Sequence, residues 1–196
     1  MIELQGPLNR ELYVACSGGV DSMAALDFLS RNHCVAVLHY DHGTEHGKQA
    51  SEFVQDYCAD NRIPFVVQKN RDCKPSGESW EQWWRTCRYQ FFDSFVDREI
   101  VTCHHLDDCV ENWIWTSMHG NPCIIPYRRF NVIRPFRATR KHEFARWAER
   151  KQVPHVEDPS NADDSYMRNY IRHNLMPHAL HLNPGIYKTI KRKLKE

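Results

Sequence analysis

The chain has eight cysteines and not one Cys-x-x-Cys pair, so the spacing used by paired catalytic thiols and many iron–sulfur sites is missing. It has no apolar run near the ~20 residues a bilayer-spanning helix needs, and no membrane partner is expected. No leader with a basic start, an apolar stretch and a small-residue cleavage site is present; with unpaired thiols this points to a cytoplasmic protein. Repeats and low-complexity tracts are lacking as well, and 196 residues read as one domain with a small appendage, large enough for a real core. Net charge is almost absent, at +1, but the balance conceals a division. Residues 1–127 hold 10 Lys and Arg against 18 Asp and Glu, whereas residues 128–196 hold 16 against 7. A basic last third suits a polyanion partner, although solvated helix faces neutralised by the acidic part would give the same count.

What the chain does have is Ser17-Gly18-Gly19-Val20-Asp21-Ser22 directly after the apolar run 12–16. A β-branched and aromatic run, two glycines and a helical pattern from Met23 read as strand, tight turn and helix N-terminus. Such a junction attracts anions, because glycines let the backbone approach a phosphate and the helix dipole adds positive potential. It lacks the Lys-Ser or Lys-Thr of a Walker A loop, and Asp21 stands where a cation would be needed. An acid facing a polyphosphate calls for Mg²⁺ between them. The plain alternative is an ordinary strand-to-helix turn capped by Asp or Ser.

Apolar runs at 13–16, 35–39, 65–67 and 100–103 alternate with helical patterns near 20–31, 45–60, 79–97 and 106–118. That alternation predicts an α/β fold: a doubly wound, mainly parallel sheet with helices on both faces and the ligand at the carboxyl ends of its strands. Ser17, Asp41, His104 and Asp107 all fall at such ends. A loop over 119–129 precedes a short strand at 132–136, and helices follow near 139–151, 164–176 and 185–195. The division expected is a catalytic part, 1–137, and a basic helical extension, 138–196.

His104, Asp107, Asp108 and Glu111 recur at helical spacing and are expected to share a face. Three carboxylates beside an imidazole need a cation, either Mg²⁺ or an ammonium. Zinc is a weaker reading, lacking a second ligand cluster, and acids complementing a helix dipole would leave the histidines unexplained. On the helix from Ser79, Arg85 and Arg88 are candidates to meet charge on a departing phosphate, with surface ion pairs as the plain alternative. Trp80, Trp84, Phe91 and Phe95 at the same spacing read as core. His39 ends the second strand, where a nucleotide would cross the sheet; taken alone it reads as a core histidine. Arg168, Asn169 and Arg172 suit phosphates and base edges or a helix braced by ion pairs, and the lysines from 188 to 195 read as a frayed basic end.

The Ser-Gly-Gly-x-Asp-Ser loop resembles that of the PP-loop ATP pyrophosphatases. Within them, 103–111 (Cys-His-His-Leu-Asp-Asp-Cys-Val-Glu) is similar to the His-His-x-Asp-Asp-x-x-Glu motif of the tRNA(Ile)-lysidine synthetases. Glu81, Arg85, Arg88 and Tyr89, then Ile133-Arg134-Pro135-Phe136, then Glu157-Asp158-Pro159-Ser160-Asn161, then Arg168-Asn169-Tyr170-Ile171-Arg172 with Pro177 resemble further motifs of that family, in order. The resemblance implies a PP-loop (adenine nucleotide alpha hydrolase-like) fold and a ligase that adenylates a tRNA cytidine at O2 and replaces that oxygen with lysine. It implies ATP at Ser17, Gly18, Gly19, Val20, Asp21, Ser22, His39 and Arg88, and Mg²⁺ at Asp21 and Asp107. It further implies catalysis by Asp21, Arg85, His104, Asp108 and Glu111, free lysine at Asp108 and Glu111, and tRNA at Arg168, Asn169 and Arg172; a homodimer is compatible with it.

The chain departs from the family at Trp83-Trp84, Asn112 and His119-Gly120-Asn121-Pro122, and it stops at Glu196, where full-length members continue into tRNA-gripping domains. One rival reading is a tRNA thiolase, which the cysteine spacing disfavours. Another is a non-catalytic nucleotide- or tRNA-binding module, which would need fewer acids.

Overall fold

The computed structural model describes residues 1–70 and 72–195. Strands β1 (Glu11–Ala15), β2 (Cys34–Asp41), β3 (Phe65–Lys69), β4 (Glu99–Val101), β5 (Arg128–Arg129) and β6 (Val132–Ile133) form one sheet in the order β3-β2-β1-β4-β6-β5. Every pairing is parallel except that of β5 with β6. The sheet is parallel because helices connect its strands: α1 (Val20–Ser30), α2 (Glu45–Asp60), α3 (Trp80–Asp93) and α4 (Leu106–Met118). The chain then continues as α5 (Lys141–Lys151), α6 (Met167–Tyr170), α7 (Met176–Leu182) and α8 (Ile186–Lys193).

Alternation along each strand divides the core. Leu12, Val14, Val37, Val101 and Ile133 pack with α1, α2 and Phe144 and Ala148 of α5 on one face. Tyr13, Ala15, Leu38, Ile100 and Val132 meet Cys87, Tyr89, Phe91 and Phe92 of α3 on the other. A third cluster unites Leu106, Cys109 and Val110 of α4 with Ile171, Met176, Ile186 and Ile190. The boundary expected at 137/138 therefore cuts through packed structure, since α5 belongs to the first layer and only the segment after it joins the third cluster.

Three local differences have physical causes. Strand β5 is too short to show a period of two, and it pairs at the sheet edge. The helix expected to stop before Pro177 runs on, because the π-turn Ile171–Leu175 puts Pro177 in the first turn of α7, where its missing N–H costs little. The terminal helix is docked, with Ile186 and Ile190 buried.

Candidate functional site

The glycine loop lies at the carboxyl end of β1. Gly18 takes φ +88°, and a Cβ there would sit 3.1 Å from Val156 Cγ2 and 3.3 Å from Val54 Cγ2, so only glycine fits. Gly18 O accepts the amide of Val156, which ties the loop to the chain beyond α5. Ser22 is spent on the loop itself: its Oγ accepts from the Ser17 amide at 3.2 Å and donates to Gly19 O at 2.9 Å. Gly19 caps α1 with no side-chain hydrogen bond, leaving the first amides of the helix as open donors. Among them Asp21 Oδ1 is buried and has no partner. A carboxylate oxygen left without a partner beside free amides fits a cation held together with a bound anion, which is the one feature here that suits Mg²⁺.

Helix α4 points its N-terminus at the same edge. His105 caps it: Nδ1 accepts the Asp108 amide at 3.2 Å while Asp108 Oδ2 accepts the His105 amide at 2.9 Å. Its Nε2 then carries the hydrogen, 3.6 Å from Asp21 Oδ2, so His105 links the glycine loop to α4. Sequence reasoning singled out His104 and passed over His105; the signal available was the cap spacing His105-x-x-Asp108. His104 Nδ1 contacts Thr102 Oγ1 at 3.0 Å, and burial pushes its pKa down to about 3, so the ring is neutral. Burial pushes His42 down to about 4, and nearby Arg88 adds to the shift. His39 touches Cys16 O through Nδ1 at 2.8 Å and leaves Nε2 buried without a partner, half satisfied as a core residue and half free for a ligand.

The four residues expected to share a face do not. Asp107 is turned away: Oδ1 accepts from Tyr187 Oη at 2.9 Å, and Oδ2 from the Lys141 amide at 2.8 Å and Arg140 Nε at 3.3 Å. It braces α5 and α8 to α4, and both oxygens of this expected magnesium ligand are engaged in those bonds. Asp108 and Glu111 do face together, buried, but two arginines already occupy them. Arg168 Nη2 lies 2.6 Å from Asp108 Oδ1, and Arg172 Nε lies 2.8 Å from Glu111 Oε1. Burial would raise the Asp108 pKa; His105 and Arg168 outweigh it and hold the carboxyl well below its usual range. Arg168 and Arg172, expected to meet tRNA, are thus both engaged with these acids, with side chains 46% and 23% exposed. Asn169, also expected there, is buried, and its Nδ2 donates to Ser160 O at 2.7 Å and Asp163 O at 2.9 Å. It fixes the turn of Pro159–Ala162.

On α3 the two arginines separate. Arg88 lies within electrostatic reach of His42, His104 and Arg168, and burial lowers its pKa. Arg85 is exposed, with its guanidinium 5.0 Å from the Tyr89 ring centroid rather than at the glycine loop. The Trp83-Trp84 departure adds a wall: Trp84 lies between Trp80 and His42, with ring centroids 5.5 and 5.2 Å away. Asn112, another departure, donates to Cys123 O at 2.9 Å and holds the 119–129 loop on α4. Among the described residues no three His, Cys, Asp or Glu side chains are grouped to ligate a metal, and no helix is long and apolar enough to cross a membrane.

Comparison with known proteins places this arrangement. The chain is 32% identical to the tRNA(Ile)-lysidine synthase of Thermotoga sp. (strain RQ2) over 94% of its own length and 49% of that protein. It is 28% identical to the tRNA(Ile)-lysidine synthase of Haemophilus ducreyi over 96% of its length and 46% of that protein. It thus spans about half the length of these curated relatives. In fold it is similar to the U34-tRNA thiolase NcsA from Methanococcus maripaludis, with a TM-score of 0.72 at 13% identity over 96% of this chain and 72% of that one. The PP-loop domain family matches residues 3–179, glycine loop, α4 and the Arg168–Arg172 segment included, and the chain belongs to that family.

Proposed function

We propose that the chain is the catalytic part of an ATP-dependent ligase that modifies tRNA, turning a wobble cytidine into lysidine. The observation that carries this reading is the meeting of two features at one sheet edge. Open amides beside the unpartnered Oδ1 of Asp21 stand at α1, and a buried Asp108–Glu111 pair shaped for a cation stands at α4. Its similarity to lysidine synthases over nearly its whole length supports the same reading.

In this reading the cytidine O2 attacks the α-phosphorus of ATP, the bond to the β-phosphate oxygen breaks, and pyrophosphate leaves with the electron pair. The lysine amine then displaces AMP at C2. Amides of Gly18, Gly19, Val20, Asp21 and Ser22 bind the phosphates, and Arg88 faces the charge that develops on pyrophosphate. Mg²⁺ at Asp21 would neutralise phosphate oxygens. Neutral His104 donates a hydrogen bond without adding charge. The lysine ammonium takes the place now held by the arginine forks against Asp108 and Glu111, and it must lose a proton before attack.

The test is mass spectrometry of nucleosides from tRNA(Ile) transcript incubated with the chain, ATP and isotope-labelled lysine. Labelled lysidine is expected. Pyrophosphate release without any labelled nucleoside would overturn lysine as the nucleophile.

A further inference from the structure

Tyr89 gathers more positive charge than any acid nearby balances. Arg129 and Arg85 lie with their guanidinium carbons 4.5 and 5.0 Å from its ring centroid, and Arg134 Nη2 donates to its Oη at 2.9 Å. Burial alone would raise the Tyr89 phenol; Arg134, Arg85 and Arg88 outweigh it and hold the pKa below the ordinary value. Among the described residues none of these arginines pairs with a carboxylate, in contrast to Arg128 next door, which is bonded to Glu99. Arg134 is 2% exposed, with Nε buried and unpartnered and its other nitrogens given to Pro126 O and Tyr89. It is a buried support, not a ligand group. Arg85 and Arg129 are exposed, and neither fork donates a hydrogen bond within the described chain.

Guanidiniums converging on one ring repel one another, and cation–π attraction of about 0.5–1 kcal/mol each at exposed sites only partly offsets that repulsion. An anion between them would remove it. Flat forks with free donors match phosphate oxygens in pairs. In the proposed function the triphosphate of ATP is not that anion, because the half-buried Arg88 and the α1 amides serve it.

We infer that Arg85 and Arg129, seated on Tyr89 and backed by Arg134, clamp the phosphodiester backbone of the nucleic-acid strand beside the pocket. This rests on the tRNA reading above and moves the backbone contact from Arg168 and Arg172, which are paired with acids, to arginines of α3 and β5 that are not. The charge division of the sequence does not show it, since Arg85 lies in the acidic part.

The experiment uses the whole chain, wild type and the variants Arg129→Ala and Arg129→Lys, titrated with fluorescein-labelled tRNA transcript from 50 to 300 mM salt. ATP affinity is measured in parallel by calorimetry. Losing one phosphate contact should lower the slope of log affinity against log salt by roughly 0.7–0.9. Arg129→Ala is expected to bind tRNA about 3–10-fold more weakly at low salt and ATP unchanged, while Arg129→Lys keeps the slope. Wild-type tRNA binding with affinity and slope unaltered in Arg129→Ala would overturn the clamp and leave the tRNA reading standing. Weakened ATP binding in Arg129→Ala would overturn it by assigning the cluster to the nucleotide. A wild-type chain that binds no tRNA even at 50 mM salt would overturn the tRNA reading and the clamp with it.

Discussion

Arg172 holds Glu111 through both carboxylate oxygens, Nε to Oε1 at 2.8 Å and Nη2 to Oε2 at 3.1 Å. The pair is mostly shielded, with side-chain exposures of 23% and 5%. A two-point charge-assisted bond of this kind gives a buried acid its counter-charge before any substrate arrives. It also fills the place that the proposed function gives to the lysine ammonium, so under that reading lysine and arginine would compete for one carboxylate.

Arg172→Ala is therefore expected to lose about 2 kcal/mol of stability, less than for a fully buried pair because Arg172 keeps some solvent. Millimolar lysine should return part of that loss, since its ammonium can replace the guanidinium, whereas norleucine should not. Thermal melts with each amino acid check this. A variant indifferent to lysine would remove the Asp108–Glu111 pair from lysine binding.

Asp21→Asn should fold and melt close to wild type, because Oδ1 makes no bond and the amide oxygen of Asn can keep the 3.6 Å contact with His105 Nε2. Pyrophosphate release should fall by two orders of magnitude or more, if the acid meets a cation on the phosphates. Near-normal release would reduce Asp21 to a helix-dipole complement.

His42 and His104, neutral with pKa values pushed to about 4 and 3, give the fold an acid weakness. Their unfolded pKa is ordinary, near 6.5, so below that pH the unfolded chain takes up protons that the folded chain refuses. Stability is complete above about pH 7 and falls as pH drops from 6.5 towards 4. The expected loss at pH 5 is on the order of 1–2 kcal/mol per histidine. Urea midpoints at pH 7 and pH 5 measure it, and His42→Asn should flatten the dependence; an unchanged slope would mean that the ring is solvated.

Much of this was legible in the residues. The alternation of runs gave the parallel sheet, and the glycine loop and the α4 acids fall together at its carboxyl edge as expected, because strand period and helix spacing are local properties. Which way a side chain turns is not local. Asp107 and Asp108 are neighbours in sequence, yet one braces Tyr187 and the Lys141 amide while the other meets Arg168, a difference set by what α5, α6 and α8 bring up against α4. Arg168 and Arg172 read as nucleic-acid contacts because their acidic partners lie about 60 residues away. Pro177 read as a stop because a π-turn cannot be inferred from composition.

If the lysines from 188 to 195 formed the frayed basic end that they suggest in sequence, the chain could be cut after Asn183 without harm to the ATP-binding part. The packing of α8 argues otherwise. Ile186 and Ile190 are buried in the cluster that carries α4, Tyr187 bonds Asp107, and Lys191 reaches Glu3 at the start of the chain. Burying an isoleucine is worth about 1.5–3 kcal/mol, so removal should cost about 3–6 kcal/mol and loosen α4 with its Asp108–Glu111 face. A lowered melting temperature and new binding of a hydrophobic dye are expected of the truncated chain. Lys188, Arg192 and Lys193 point to solvent, and replacing all three by alanine should leave the melt within about 0.5 kcal/mol of wild type. If the truncated chain melts like the intact one, α8 is only a charged appendage, and the third core cluster does not hold the site.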